Sequence, residues 1–187
     1  TVAEVREAVW RGDALIMEMV HWDAILAACR KAFPHLRRVS AYAMASNLMK
    51  KSSEELKRLR EGGLSLFYIG PETGDDETFK RIAKGGTFAD HVESAKKAKA
   101  AEITLSTIFL LGAGGSERSH AHAEGSAKLI TVMDPQYVSL LTLTVVEGTP
   151  IAAQQDRGTF ELPSVEAMLG ELRTIVELAS PTDAVFR

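Results

Sequence analysis

Four short stretches carry the residue types from which a ligand site can be built: Gly12-Asp13-Ala14, Gly70-Pro71-Glu72-Thr73-Gly74-Asp75, Leu110-Leu111-Gly112-Ala113-Gly114-Gly115 and Val146-Glu147-Gly148-Thr149-Pro150. Each holds glycine, whose missing Cβ lets backbone approach a bound molecule closely. Glu72 and Asp75 add acceptors suited to ribose hydroxyls or an ammonium group, and the neighbouring apolar residues offer a surface for a flat base. For any single stretch a plain chain turn is the better explanation, with Glu72 capping the helix that begins near Asp76. Four such stretches at equivalent positions favour a shared ligand.

Other constellations carry less. The turn Gly112–Gly115 lacks the Gly-Lys-Ser/Thr ending of a phosphate loop and the full dinucleotide spacing. His120, His122 and Glu124 look metal-like, but helix positions two apart diverge, whereas zinc pairs use three or four, so a polar helix surface is expected. His21, His35 and His91 stand alone and read as surface or capping histidines. Met17, Met19, Met44 and Met49 suit a cavity lining and ordinary packing equally. No nucleophile elbow of the Gly-x-Ser-x-Gly kind occurs, and no catalytic or metal-binding side chain is assigned.

The elements that must position these stretches follow from a hydrophobic period that switches between helix-like and strand-like. Helices are expected at Val2–Val9 and at His21–Phe33, the latter with Ile25, Leu26, Ala28 and Cys29 facing inward and Pro34 closing it. Arg37–Tyr42 is strand-like, and Ser52 or Ser53 caps a helix ending at Gly62-Gly63. Leu64–Ile69 is apolar enough for a strand buried on both faces, as in parallel sheets, with a loop over Gly70–Asp76. Helices Asp76–Lys84 and Phe88–Ala101, strand Thr104–Leu111, helix Ser116–Met133, strand Tyr137–Val146, a long loop Gly148–Pro163 and helix Ser164–Ala179 complete the chain. The tail from Ser180 has no assigned partner. Repeated strand-helix units without a composition shift predict one α/β domain over residues 1–187, either a doubly wound sheet or a partial barrel. In both, ligands sit at the carboxyl ends of strands, which is where the glycine-bearing stretches fall.

Composition narrows the class. A hydrophobic content of 45% with 25% charged residues is that of a globular chain, and the apolar runs Leu105–Leu111 and Val138–Val146 fall short of the roughly 20 residues of a membrane span. Without a signal-peptide pattern at Thr1–Trp10, a cytoplasmic location is expected. A net charge of −3 gives no general attraction for nucleic acid, and the local cluster Lys50, Lys51, Lys57, Arg58, Arg60 reads as a solvated helix face. The one cysteine, Cys29, reads as a core residue and excludes both an internal disulfide and a cysteine-rich metal site within this chain.

The order GDAL, RRVSAY, YIGPETGDDETFKRIAKG, TIFLLGAGG with ERSHAHAEGSAKLI, and YVSLLTLTVVEGTP resembles the radical S-adenosylmethionine superfamily. It is most similar to the branch of MiaB, Elp3 and the oxygen-independent coproporphyrinogen oxidases. The resemblance implies a partial (β/α)6 TIM-like barrel with parallel strands, incomplete at its N-terminal end. It also implies S-adenosylmethionine lying against a 4Fe-4S cluster, an electron donor such as flavodoxin or ferredoxin, and reductive cleavage to a radical that abstracts hydrogen from a substrate left unspecified. Gly12, Asp13 and Ala14 resemble the motif that holds the methionyl amino group, reading Gly-Asp-Ala in place of Gly-Gly-Glu. Glu72 and Thr73 resemble the Glu-Ser-Gly motif addressing ribose and the methionyl part. Gly112, after Leu110, matches part of the adenine-side pattern, with the following glutamate displaced to Glu117. Val146 matches an apolar contact on the sixth strand, and Tyr42 is a further pocket residue by position.

The superfamily's Cys-x-x-x-Cys-x-x-Cys loop is absent, and one cysteine cannot replace three thiolates. The chain is therefore expected to be a fragment, inactive by itself, whose cluster ligands lie elsewhere. Too few residues separate Val9 from Gly12 for a strand of the usual five or six, which predicts residues omitted there. The alternative function is a non-catalytic α/β ligand-binding domain that has lost the cluster.

Overall fold

The computed structural model describes residues 13–187. Helix Val2–Val9, Gly12 and the omission expected between Val9 and Gly12 lie outside the described residues. After a 3-10 turn at Ala14–Ile16, the chain runs α1 (Met19–Ala32), β1 (Val39–Tyr42), α2 (Ala45–Lys50), α3 (Ser53–Glu61), β2 (Leu64–Glu72), α4 (Asp76–Arg81) and α5 (Phe88–Ala100). It continues with β3 (Thr104–Leu111), α6 (Gly115–Met133), β4 (Tyr137–Thr142), α7 (Pro150–Asp156), α8 (Val165–Leu178) and β5 (Val185–Phe186). The strands lie in one open sheet in chain order, β1-β2-β3-β4-β5, and the β1–β2 and β4–β5 ladders are parallel. Parallel neighbours need long crossovers, which the intervening helices supply.

Two compact units divide the chain: residues up to Gly70 with Glu93–Ser106, and Pro71–Val92 with Thr107–Arg187. In the first, the apolar run of β2 is sealed, with Leu64, Leu66, Phe67 and Ile69 all at 1% exposure or less. Complete burial of one such side chain is worth about 1.5–3 kcal/mol. Ser52 and Glu55 form a reciprocal capping box that starts α3, as the Ser-x-x-Glu pattern requires. On α1 the buried residues are Trp22 and Leu26. The expected inward face is thus rotated: Ala28 is exposed and Cys29 half-buried, so Cys29 is no core residue. The basic cluster is likewise more than a solvated face. Lys51 is 9% exposed and donates to the Met17 carbonyl at 2.8 Å, while Arg58 pairs with Asp23 and Arg60 donates to the Glu102 carbonyl.

In the second unit α6 and α8 contribute Ala123, Ala127, Leu129, Ile130, Met133, Met168 and Ile175 to the core. Gly74 and Gly125 bring two stretches of backbone into close approach. A Cβ on Gly74 would stand 2.0 Å from the Gly125 carbonyl oxygen, so neither position tolerates a side chain.

Several boundaries move from the sequence expectation. β2 does not stop at Ile69 but continues through Gly70 and Pro71 to Glu72; a proline is tolerated where its missing N–H falls outside the ladder. β4 ends at Thr142, not Val146. The long loop contains α7, begun by a Thr149 side-chain cap with Pro150 in the first turn, a placement proline favours. α2 was not anticipated, and the tail is partnered after all, since Val185 and Phe186 pair with Tyr137 and Val138.

Candidate functional site

In the second unit, β2 and β3 each terminate in the left-handed backbone region, at Glu72 (φ 67°) and, just past the strand, at Gly112 (φ 87°). A non-glycine residue there is uncommon and costs on the order of 1 kcal/mol or more, a conformation Glu72 shares with Ala83, Glu102 and Asp134. Its carboxylate accepts from Lys84 Nζ at 2.9 Å, both side chains keeping partial access to water. At Gly112 the positive φ favours glycine, and a Cβ would press on Met168 Sδ at 3.1 Å.

Behind these strand ends lies a buried polar chain. Thr73 is fully buried, and its hydroxyl is taken internally: it accepts the Asp75 N–H at 3.0 Å and shares a 2.8 Å hydrogen bond with His122 Nδ1. Asp75 caps α4 through the Thr78 N–H and hydroxyl and receives two bonds from Arg118, at 2.7 and 2.8 Å. That guanidinium holds the Asp75 carboxyl well below the usual carboxylate range. His122 is fully buried, and burial pushes it down to about 4 against smaller opposing contributions from Asp75 and the Leu110 backbone. Its Nε2 has no hydrogen-bond partner and faces Glu171 Oε2 at 3.8 Å. Glu171, on α8 and 2% exposed, accepts the Gly112 N–H at 2.6 Å and the Ser119 hydroxyl at 2.6 Å. Burial raises the Glu171 carboxyl, while its two donors oppose that shift.

His122 therefore corrects the expectation of a polar helix surface for His120, His122 and Glu124. His120 and Glu124 do face water, 3.3 Å apart, but His122 points into the core. His91 is also buried rather than superficial, stacked on Phe79 with Nδ1 2.9 Å from the Thr87 carbonyl. Val146 lies four residues beyond the end of β4 and is 56% exposed. Its neighbour Val145 packs on the cluster of Leu143, Ile151 and Phe160.

The first unit holds Asp13, Ala14 and Tyr42. Asp13 caps the 3-10 turn, accepting the Leu15 N–H at 3.2 Å and Asn47 Nδ2 at 2.6 Å, and is 2% exposed. Ala14 is half-buried. Tyr42, at the end of β1, is 57% exposed and stacks on Tyr68 with centroids 5.1 Å apart. Sequence reasoning singled out Glu72, Thr73 and Gly112 but not their support from Arg118, Ser119, His122 and Glu171. The three residues on α6 recur at helical spacing, a legible polar stripe. Glu171, 59 residues from Gly112, left no such trace.

The Radical SAM superfamily model matches residues 18–123. Biotin synthase from Clostridium botulinum (strain Loch Maree / Type A3) is 23% identical over 125 residues, 67% of this chain and 38% of that protein. Among solved structures, the archaeal Methanocaldococcus infernus Elp3 with an N-terminal deletion superposes with a TM-score of 0.74 at 15% identity, covering 94% of this chain and 45% of that one. Coproporphyrinogen III oxidase (HemN) from Escherichia coli gives 0.67 at 14% identity, covering 89% and 38%. An open α/β sheet whose strand ends carry Glu72 and Gly112 is the partial barrel of these neighbours. The chain belongs to the radical S-adenosylmethionine superfamily. It spans little more than a third of the length of the curated relatives it matches.

The superfamily works with S-adenosylmethionine and a 4Fe-4S cluster, and the two fit this chain differently. One cysteine in 187 residues cannot supply three thiolates, and no three His, Cys, Asp or Glu gather to hold a metal among the described residues. The cluster does not fit these residues. The strand-end backbone fits an organic ligand, because Gly112 leaves the end of β3 without a side chain and Glu72 ends the neighbouring strand β2. Among the described residues no helix is long and apolar enough to cross a membrane.

Proposed function

We propose that this chain is the S-adenosylmethionine platform of a radical enzyme whose cluster ligands are supplied from outside these 187 residues, so that the chain alone does not catalyse. The pairing of left-handed Glu72 at the end of β2 with left-handed Gly112 just past β3, both at positions of the family's motifs, supports the reading. Glu72 addresses the ribose and methionyl parts, and Lys84 orients its carboxylate. Gly112 brings backbone beside the adenine, and Tyr42 and Val146 offer exposed apolar surface. Gly12, Asp13 and Ala14 form the motif that holds the methionyl amino group, with Asp13 contributing main-chain atoms, since its carboxylate is already occupied. Thr73 acts beneath the surface, holding the loop through His122 and Asp75. Bound S-adenosylmethionine supplies, on reductive cleavage, the radical that abstracts hydrogen from substrate.

Titration calorimetry and product analysis on the full-length, anaerobically reconstituted protein test this. Binding with 5'-deoxyadenosine formation is expected, and absence of both overturns the proposal. The lone cysteine favours one other reading, a ligand-binding domain that has lost the cluster. Three cysteines at Cys-x-x-x-Cys-x-x-Cys spacing in the parent gene upstream of Thr1 select the enzyme, and their absence selects the binding domain.

A further inference from the structure

We infer that Glu171 is a positioning residue that holds the Gly112 end of the platform in its ligand-receiving shape from behind, with His122, which bonds Thr73, packed beside its carboxylate. The inference rests on the proposed cofactor reading for what the loop receives, but not for how the loop is held.

Gly112 sits in the left-handed region just past β3. In a loop of small residues its amide would ordinarily go to water. Here it ends on a carboxylate that is itself 2% exposed, at a charge-assisted distance of 2.6 Å. Glu171 cannot swing away, because its second oxygen is held by Ser119 at 2.6 Å and Met168, one turn earlier on α8, packs against Gly112. Burying a carboxylate is costly unless donors compensate, and this one has two donors rather than a salt bridge. The facing titratable group is His122 on α6. Asp75 and Arg118, further along the same chain of bonds, neutralise each other. On α8 itself Arg173 and Glu177 pair on the exposed face.

His122 is the second independent sign of a tuned arrangement. Its Nε2 is buried and lies 3.8 Å from the carboxylate that grips Gly112. Through Nδ1 the same ring reaches Thr73, next in sequence to Glu72. Hydrogen bonds thus run from Gly112 to Glu171 and from His122 to Thr73, and the 3.8 Å contact between Glu171 and His122 lies between them.

The test uses the full-length reconstituted protein and two variants, Glu171→Gln and the milder Ser119→Ala. Three readouts apply: backbone hydrogen exchange across residues 110–116, S-adenosylmethionine affinity, and the pH profile of that affinity. In Glu171→Gln, exchange at Gly112 is expected to rise at least tenfold while β3 and α6 stay protected, and affinity to fall about tenfold. Wild-type affinity is expected to weaken on acidification as the carboxylate takes up a proton, and to be flatter with pH in Glu171→Gln. Ser119→Ala, which frees one oxygen but keeps the charge, is expected to show the same changes at about a third of the size, and it carries the test if Glu171→Gln does not fold. Unchanged Gly112 exchange in both variants overturns the inference. So does an affinity loss in Glu171→Gln that leaves the pH profile as in wild type, because that is the signature of a merely structural residue. If exchange responds as stated but wild-type protein does not bind S-adenosylmethionine, the cofactor reading falls and the holding role of Glu171 stands.

Discussion

Two buried carboxylates in this molecule do the same local job, accepting a backbone N–H at the edge of a glycine-bearing stretch, yet they are built in opposite ways. Asp13 in the first unit caps a turn two residues away and finishes its valence on Asn47. Glu171 in the second unit reaches a glycine 59 residues away and leaves a buried imidazole nitrogen beside it without a partner. The first is a cap, and caps are cheap, local and replaceable. The second belongs to a network in which Thr73, Asp75, Arg118, Ser119 and His122 depend on one another, and half-satisfied networks are costly to disturb. A fold invests in such an arrangement where loop shape matters more than stability.

The sharpest way to break the contrast is at Gly125, which lets α6 touch the Gly74 loop. Gly125→Val should destabilise the second unit by about 3 kcal/mol or more, since backbone must move to admit the side chain. A denaturation midpoint close to wild type would show the approach to be looser than 2.7 Å implies. Arg118→Ala comes next, at about 2 kcal/mol, because it strands the Asp75 carboxylate. The loss stays below that of a fully buried pair because the guanidinium keeps 28% of its exposure. Urea titration at neutral pH measures it, and the same change in an Asp75→Asn background should cost far less.

The third prediction concerns pH. The folded value of His122 is depressed to about 4, so its neutral form contributes stability that is fully present above the unfolded value near 6.5. That contribution is lost as pH falls through 4, about 3 kcal/mol at most. Glu171, raised by burial, has the opposite sign, so the informative quantity is the difference between wild type and His122→Gln. Wild type should lose ground to the variant between about pH 6.5 and 4, and a constant difference across that window would count against a neutral buried imidazole. Asp13→Ala should cost about 1 kcal/mol, as for other helix-start caps, with no effect on the second unit's response to pH. Tyr42→Ala sits last, within about 0.5–1 kcal/mol in thermal melts, since a stacked ring left 57% exposed holds little of the fold.

Much of the architecture could be read in advance. Thr104–Leu111 emerged with its limits unchanged, because an apolar run that ends in glycines leaves little choice. For the helix expected to start at Ser52 or Ser53, Ser52 proved to be the cap and the helix stops before Gly62-Gly63, because Ser-x-x-Glu is a local instruction. Expectations failed where an element depends on its neighbours. β2 runs on to Glu72, β4 stops at Thr142, and Val185–Phe186 becomes a strand only because β4 offers it a ladder.

The candidate site divides in the same way. Sequence by itself determined which residues occupy the strand ends: Glu72, Thr73 and Gly112 stand out by type and spacing. It also determined that one cysteine leaves the cluster to other residues. Tertiary structure alone decided that Thr73 turns inward, that Val146 leaves the sheet, that His122 is buried while His120 two residues away is not, and that Glu171 closes the network on Gly112. The physical reason is range. Turn chemistry and capping act over two to four residues and leave a pattern in the chain, whereas burial and long-range hydrogen bonding depend on which surfaces meet.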